Sequence, residues 1–181
     1  MSSENVVFIS GATGFIAQHI VKFLLEAGYK TIGSVRSEEK GKHLKSLLKS
    51  AGLKSDLFSY VVVEDIGAKG AFDEALKANP DVTVFLHTAS PFTFEVHDVE
   101  KDLLKPAIEG TTNALNAIKV YGKNVKRVVV TSSYAAITGF ADSATPGKEV
   151  NEDSWNPITY EQALANPFTG CLLYTSPSPR D

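Results

Sequence analysis

Short apolar runs alternate with amphipathic stretches along the chain. Asn5–Ser10 is an almost continuous apolar run ending at Gly11, a pattern typical of a strand buried on both faces. Phe15–Ala27 follows with helical spacing of its apolar residues, and Gly28 is a helix stop. The spacing predicts one apolar stripe along the helix, formed by Ile16, Ile20, Phe23, Leu24 and Ala27. The chain therefore begins with a predicted strand, a glycine turn and a helix.

The same alternation continues to about residue 131. The further predicted strands are Tyr29–Val35, Leu57–Val63, Val82–His87 and Val125–Thr131. The further predicted helices are Glu38–Ser50, Asp73–Ala78 and Asp98–Tyr121, the last with Leu103, Leu104, Ala107, Ile108, Thr111, Leu115 and Ile118 on one side. Strands separated by helices require right-handed crossovers and a covered parallel sheet. We predict an α/β fold, a doubly wound parallel (Rossmann) sheet of strand order 3-2-1-4-5, followed by a polar loop over Thr138–Asn156.

Composition excludes several classes of protein. The 181 residues make one domain, or one domain and part of another, and carry 18 basic against 21 acidic side chains, a net charge of −3. We therefore expect neither nucleic acid nor a membrane as a partner. A single cysteine, Cys171, excludes a disulfide framework and a Cys-rich zinc site, and we predict no metal. The longest apolar runs are too short to span a bilayer and no signal segment is visible, so we expect a cytoplasmic location.

The first strand runs directly into the glycine turn Gly11-Ala-Thr-Gly14-Phe-Ile-Ala17. A helix N-terminus there aims backbone N–H groups at an anion. Gly11 permits the turn, Gly14 lets a pyrophosphate approach the backbone, and the small Ala17 lets the helix pack closely on the strand. We predict dinucleotide binding, with the contacts Gly11, Thr13, Gly14, Phe15 and Ile16. The alternatives are a glycine turn without a ligand and a methyl-donor site.

The end of the second predicted strand indicates which dinucleotide binds. An acidic residue there would bond a ribose 2′-hydroxyl and favour NAD. This chain instead has Arg36, with Lys40 one helical turn further along. A guanidinium suits a 2′-phosphate, so we predict NADP(H). The alternative is a solvated charged face, because Glu38 and Glu39 lie alongside.

The next two strand ends offer further contacts. Asp65 can accept a hydrogen bond from an adenine amino group while Ile66 covers the ring, although Asp65 as a turn former is nearly as good an interpretation. Thr88 and Ala89 are small residues at the end of the fourth strand, where a cofactor would lie against the sheet edge. We interpret His87 as a packed histidine rather than a catalytic one.

Together with Val130-Thr-Ser-Ser133, these residues resemble the extended short-chain dehydrogenase/reductase family from about Val6 to Gly170. The segments GATGFIAQHIVKFLLEAGYKTIGSVRSEEK, VFLHTASPF and RVVVTSSYAAITGF are similar to the fungal NADPH-dependent methylglyoxal and branched-aldehyde reductases, close to plant dihydroflavonol and cinnamoyl-CoA reductases. The resemblance implies an oxidoreductase that transfers hydride from NADPH to a small carbonyl such as methylglyoxal. It also implies an NADP-binding domain over residues 1–170.

The resemblance implies the catalytic residues as well. In the family a serine hydroxyl bonds the carbonyl oxygen, a tyrosine donates the proton, and a lysine four residues later lowers the pKa of the tyrosine from its usual value of about 10. By position the serine is Ser133, and Thr131 joins the cofactor contacts. A strand-end serine bonded to backbone is the alternative for Ser133. Phe92 and Tyr134 are candidate walls of an apolar substrate pocket, or ordinary core or surface aromatics.

The Tyr-x-x-x-Lys pair is absent, because none of the six tyrosines has lysine four residues later. In relatives the tyrosine comes directly after a stretch like residues 166–170, where this chain has Cys171. We expect residues 171–181, which include Tyr174, to be a non-native disordered tail. We also expect the sheet to lack its last strands, leaving an exposed edge beside the fifth strand, and the chain to be inactive.

Two other functions remain open. A non-catalytic NADP(H)-binding module is favoured by the missing lysine and disfavoured by the abrupt tail. An epimerase or a hydroxysteroid dehydrogenase of the same family would share the glycine turn and the serine, but Arg36 and the run TSSYAA make it less favoured. The sequence leaves the carbonyl substrate and the oligomeric state open.

Overall fold

The first strand, β1 (Val6–Ser10), is the centre of the sheet. The computed structural model describes residues 5–90, 97–137, 147, 149–151 and 153–165, and it buries all five residues of β1. An apolar run without polar alternation suits a strand covered on both faces. β1 pairs in parallel with β2 (Lys30–Val35) on one side and with β4 (Val82–His87) on the other.

Two further strands complete the described sheet. β3 (Phe58–Val62) pairs with β2, and β5 (Arg127–Val130) pairs with β4, all in parallel. The resulting order, β3-β2-β1-β4-β5, confirms the predicted α/β fold and its strand order. Among the described strands β5 is the edge strand on its side, and its residues Val128 and Val129 are 38% and 48% exposed.

Helices connect the strands. Their bounds are α1 (Phe15–Glu26), α2 (Glu38–Ser50), α3 (Asp73–Lys77), α4 (Lys105–Tyr121) and α5 (Tyr160–Ala165), with a π-helical turn over Glu100–Leu104 before α4. Short 3₁₀ turns cover Ser55–Leu57 and Tyr134–Ala136. The predicted helices are all present, within the one or two residues by which helix ends vary, except that the 98–121 helix begins with the π turn.

The helix α5 was not predicted from the sequence. The sequence feature that marks the start of this helix is a capping box, which begins at Thr159, one residue before the helix. The hydroxyl of Thr159 accepts a hydrogen bond from the Gln162 N–H at 3.3 Å, and the Gln162 side-chain oxygen accepts one from the Thr159 N–H at 2.9 Å. Two N–H groups at the helix end are thereby satisfied, which stabilises a helix too short to show periodicity.

Two apolar clusters lie on opposite faces of the sheet. Phe8 belongs to one cluster and the next residue, Ile9, to the other, because successive side chains of a strand point to opposite faces. Residues of α3 and α4 join the Phe8 cluster, and residues of α1 and α2 join the Ile9 cluster. In the Phe8 cluster the Phe8 ring stacks on Phe85 with centroids 4.8 Å apart, and Phe72 meets both rings edge-on.

The predicted stripe of α1 is only partly correct, because Ile20 and Leu24 are half-buried whereas its other three residues are exposed. Ile16 and Phe23 are 56% and 63% exposed, and Ala27 is exposed as well. The helix instead buries Ala17, Val21 and Leu25. α1 is apolar on most of its circumference, so spacing alone does not select one stripe. The small Ala17 side chain packs in the Ile9 cluster and allows the helix to lie close to the sheet.

The inward face of α4 also differs from the prediction at one position. Leu115 is 41% exposed, whereas its neighbours Ala114 and Ala117 are almost fully buried in the Phe8 cluster. The alanines let the helix approach the sheet closely, and the larger leucine lies outside the contact. Ile118, predicted on the inward side, is half-buried against the cluster.

The described chain divides into two compact units. The first comprises residues 5–89 and 112–130 and contains the sheet; the second comprises residues 90 and 97–111 and the described residues from 131 to 165. Within the second unit, Glu100 accepts a hydrogen bond from the Tyr160 hydroxyl at 3.2 Å and pairs with Lys105 at 3.1 Å. These contacts tie the π turn to α5. The domain over residues 1–170 remains a prediction, and residues 171–181 lie outside the described residues.

Among the helices that the structure describes, none combines the length and apolar character needed to cross a membrane.

Candidate functional site

The glycine turn after β1 lies against the end of β4. Gly11 has φ +66°, and a Cβ added to it would lie 3.0 Å from the Cβ of Ala89. Its N–H donates to the Ser34 hydroxyl at 3.0 Å, and the Ala12 N–H donates to the Ser34 carbonyl at 2.8 Å. Glycine is therefore required both by the left-handed backbone and by the close approach, and β2 holds the turn in place.

Gly33 of β2 packs against the glycine turn, and the sequence analysis did not single it out. A Cβ at Gly33 would lie 2.5 Å from the Cβ of Ala12 and 3.0 Å from the Phe58 ring. The absent side chain provides the space into which the glycine turn packs. A lone glycine inside a β-branched strand is the signal of such a close backbone approach.

The N-terminus of α1 is suited to an anion. Gly14 precedes the helix, its N–H donates to the Gly11 carbonyl at 2.9 Å, and no side chain caps the helix. The first turn contains no acidic residue, and the first N–H groups of a helix lack intrahelical acceptors. The Gln18 amide donates to the Thr13 carbonyl at 2.8 Å, which fixes the peptide before Gly14. Phosphate is one of the anions that such an N-terminus binds.

The end of β2 presents two exposed cations. Arg36 follows β2 directly, and Lys40 lies in the first turn of α2, with its N–H donating to the Ser37 hydroxyl at 3.3 Å. Glu38, the acidic neighbour that could neutralise Arg36, accepts a hydrogen bond from the Tyr60 hydroxyl at 2.9 Å, which raises the pKa of Tyr60. Arg36 forms none of the ion pairs found in the described part of the chain. Its charge is therefore available to an anionic ligand.

The loop after β3 is a tight turn. A carboxylate oxygen of Asp65 accepts a hydrogen bond from the Gly67 N–H at 2.8 Å, and the Asp65 carbonyl accepts one from the Ala68 N–H at 3.3 Å. Asp65 is thus a turn former, as the alternative interpretation had it, and contact with adenine remains a prediction. Ile66 is half-buried against the Phe8 cluster.

Ser10 joins the ends of β1 and β4. Its buried hydroxyl accepts hydrogen bonds from the N–H groups of Thr88 and Ala89, both at 3.0 Å, and lies 3.0 Å from Nδ1 of His87. The Thr88 hydroxyl in turn donates to the Ser10 carbonyl. These bonds hold Ala89 against Gly11. From the sequence Ser10 was only the end of a strand, because its partners lie far along the chain.

His87 is a packed histidine, as its sequence context suggested. Its side chain is buried, and burial lowers its pKa to about 4. Because the Ser10 oxygen already accepts two N–H bonds, its own proton is directed at Nδ1, which is an acceptor only in the neutral ring. The neutral imidazole is therefore part of the link between β1 and β4.

Thr131 and Ser133 follow β5 in the second unit. Thr131 is exposed and Ser133 half-buried, and the Ser133 carbonyl accepts a hydrogen bond from the Ala136 N–H at 3.0 Å. Their predicted roles remain predictions, as does that of Tyr134. Phe92, a candidate pocket wall, lies outside the described residues, as do Cys171 and Tyr174.

Within the first unit, the predicted contacts meet at one edge of the sheet. They follow the carboxyl ends of β1, β2, β3 and β4, and the chain reverses its direction of winding between β1 and β4. Open α/β sheets bind ligands at this switch point. The sheet, its order and the glycine turn define a Rossmann-type α/β protein. More specifically, the chain belongs to the 3-beta hydroxysteroid dehydrogenase/isomerase family, whose sequence model matches residues 8–166, and so to the extended short-chain dehydrogenases/reductases.

Its relatives include fungal reductases. The chain is 63% identical over 170 residues to the putative NADPH-dependent methylglyoxal reductase GRP2 of Candida albicans, covering 94% of this chain and 50% of the relative. It is 47% identical over 163 residues to the NADPH-dependent methylglyoxal reductase GRE2 of Saccharomyces cerevisiae, covering 89% and 46%. The crystal structure of Gre2 from Candida albicans in complex with NADPH superposes with a TM-score of 0.85 at 50% identity, covering 92% of this chain and 48% of that one. The chain thus spans about half the length of these relatives.

Proposed function

We propose that this chain is the cofactor-binding part of an NADPH-dependent carbonyl reductase that acts on a small aldehyde or ketone such as methylglyoxal. The observation that carries the proposal is Arg36, an exposed guanidinium at the end of β2 where NAD-binding proteins have an acidic residue. The names of the two fungal relatives and of the NADPH-bound crystal structure support the cofactor and the substrate class.

In this proposal, the residues around the glycine turn and those at the strand ends bind different parts of NADPH. The uncapped N-terminus of α1, with Gly11, Thr13 and Gly14, holds the pyrophosphate. Arg36 and Lys40 pair with the 2′-phosphate, and a guanidinium can do so through two parallel hydrogen bonds. The remaining contacts are those of Phe15, Ile16, Asp65, Ile66, Thr88, Ala89 and Thr131. When bound, NADPH supplies a hydride.

Ser133 is the residue that bonds the carbonyl oxygen in this proposal. The sequence has no tyrosine with lysine four residues later, so the usual proton donor and the cation that adjusts its pKa are both absent. We therefore propose that this chain of 181 residues binds NADPH without reducing an aldehyde. The same absence favours the second candidate, a non-catalytic NADP(H)-binding module. Aldehyde-dependent oxidation of NADPH above the rate without protein would contradict both statements.

The cofactor assignment is tested by the substitution Arg36→Glu, with Lys49→Glu as a control of equal charge change at the other end of α2. Loss of a charged hydrogen bond to phosphate is expected to weaken NADPH binding by roughly 10–150-fold, with little effect on NADH. Fluorescence titrations of wild type and both variants with each nucleotide give the affinities. The control is expected to keep the wild-type preference.

Equal losses for NADPH and NADH in the Arg36 variant would contradict the role of Arg36. Failure of the wild-type chain to bind either nucleotide would contradict the proposed function itself.

A further inference from the structure

One side chain of α4 reaches the loop after β3. The Asn113 amide nitrogen donates two hydrogen bonds, one to the carbonyl of Ile66 and one to the carbonyl of Ala68, both at 2.9 Å. A primary amide has two N–H groups, so these bonds occupy both of its donors. The neighbouring Ala114 and Ala117 pack in the Phe8 cluster, which places this turn of α4 firmly beside the sheet.

The two bonds fix the loop from outside, in addition to its own internal bonds. Asp65 uses one carboxylate oxygen to hold the Gly67 N–H, which shapes the loop locally. Asn113 then fixes where the turn lies relative to β3 and α4, because it binds carbonyls on both sides of Gly67. The orientations of Ile66 and of the second carboxylate oxygen of Asp65 therefore depend on Asn113.

We propose that Asn113 is a positioning residue for the adenine half of the cofactor, and this inference rests on the proposed function. Asn113 acts through the loop: it holds Ile66 where the side chain covers the adenine ring, and Asp65 where its carboxylate accepts from the adenine amino group. It does not act on the 2′-phosphate, which pairs with Arg36. Its removal should thus weaken every adenine nucleotide by the same factor, whether or not a 2′-phosphate is present.

The chain provides a matched control for the bond itself. Asn124 donates its amide N–H to the Pro80 carbonyl at 2.8 Å, so it also joins a loop to a neighbouring segment of the same unit. This bond lies just before β4 and β5 begin, at the opposite end of the strands from the site. Asn124→Ala removes the same kind of contact without touching the loop after β3.

The experiment compares 2′,5′-ADP and 5′-AMP, which differ by the 2′-phosphate, as calorimetric ligands of the full chain. Asn113→Ala and the similarly sized Asn113→Asp are expected to raise both dissociation constants roughly tenfold, because two backbone bonds that order the loop are lost. Asn124→Ala is expected to leave both constants unchanged. Urea unfolding of each variant shows how much stability is lost, and hydrogen exchange at residues 66–68 shows whether the loop is released.

Each other outcome is decisive. Unchanged dissociation constants in the Asn113 variants, or equal changes in Asn113→Ala and Asn124→Ala, would assign Asn113 to stability alone and overturn the proposal. Failure of both Asn113 variants to fold would overturn it in the same way. A loss confined to 2′,5′-ADP would place Asn113 in the phosphate site instead. If the wild-type chain binds neither ligand, the proposed function fails, and the role of Asn113 fails with it.

Discussion

At the scale of single residues, the pair formed by Ser10 and His87 shows how a buried polar group is accommodated. Ser10 accepts two backbone hydrogen bonds and donates one to the imidazole, so its hydroxyl is fully used. The bond from Ser10 requires a neutral ring, and burial enforces it by lowering the pKa of His87 to about 4. A proton on this ring would break the bond and bury a charge.

The low pKa of His87 predicts a loss of stability in acid. In the unfolded chain the His87 imidazole is protonated near pH 6.5, whereas in the folded chain it is protonated only near pH 4. The free energy of unfolding should therefore fall as the pH drops from 6.5 to 4, by about 3 kcal/mol from this residue. Below that range the loss is complete and the contribution levels off.

The measurement is urea unfolding of wild type and His87→Asn, followed by far-ultraviolet circular dichroism between neutral and acid pH. Other groups titrate in both proteins, so the difference between the two pH profiles isolates His87. Parallel profiles would show that the ring is not held neutral.

Residues with local signals were predictable, and residues with distant partners were not. The arrangement of Gly11, Gly14 and Ala17 follows from a motif whose spacing has a physical meaning. The importance of Ser10 depends on residues 77 to 79 positions away, and that of Gly33 depends on contacts from two other elements. No pattern along the chain contains that information.

At the scale of elements, the junction of β1 and α1 is held by the strands on either side. The turn hydrogen-bonds to Ser34 of β2, packs into the space above Gly33, and contacts Ala89 after β4. The helix N-terminus is therefore presented at a fixed position, which is what a site for a phosphate requires.

Gly11 at this junction and Gly52, which follows α2, have similar backbones, and comparing them separates backbone strain from steric crowding. Gly11 has φ +66° and Gly52 has φ +72°, but only Gly11 has a neighbour, at 3.0 Å, where a Cβ would lie. Gly52→Ala is expected to cost about 1–2 kcal/mol for the left-handed backbone. Gly11→Ala should cost about 1–3 kcal/mol more, because Ala89 must move.

Chemical unfolding gives both free energies, and an NADPH titration shows whether the displaced turn still binds. Similar losses in the free energy of unfolding for the two variants would mean that Ala89 moves away from residue 11 at little energetic cost.

Elements and their order were predictable because the strands are short apolar, β-branched runs, the long helices have helical spacing of apolar residues, and crossovers have one hand. The faces of α1 and the existence of α5 were not. α1 is apolar on most of its circumference, so tertiary packing selects the stripe of Ala17, Val21 and Leu25. α5 spans only Tyr160–Ala165, fewer residues than two helical turns, and only its capping box identifies it.

At the scale of the whole molecule, an apolar strand forms one edge of the part of the sheet that the structure describes. Val128 and Val129 face opposite sides of β5, yet both are more than a third exposed. Within the described residues β5 pairs with β4 alone. An open edge with apolar side chains is a template for pairing with another chain.

We therefore expect the chain to self-associate, and Val129→Lys to reduce this, because a charge on an edge strand disfavours pairing. Val120→Lys is the control, since Val120 is comparably exposed but lies on α4. Light scattering against protein concentration compares the three proteins. If both lysine substitutions reduced self-association equally, the effect would come from the added net charge and not from the strand edge.

The division of the chain into two units has a consequence for spectroscopy. The sole tryptophan, Trp155, belongs to the second unit. The helices α1, α2 and α3, which contribute most of the backbone ellipticity, belong to the first unit together with the five strands of the described sheet. Indole emission and backbone ellipticity therefore follow different parts of the same molecule. If their unfolding curves coincide, the two units melt as a single cooperative body; if they separate, each has a stability of its own.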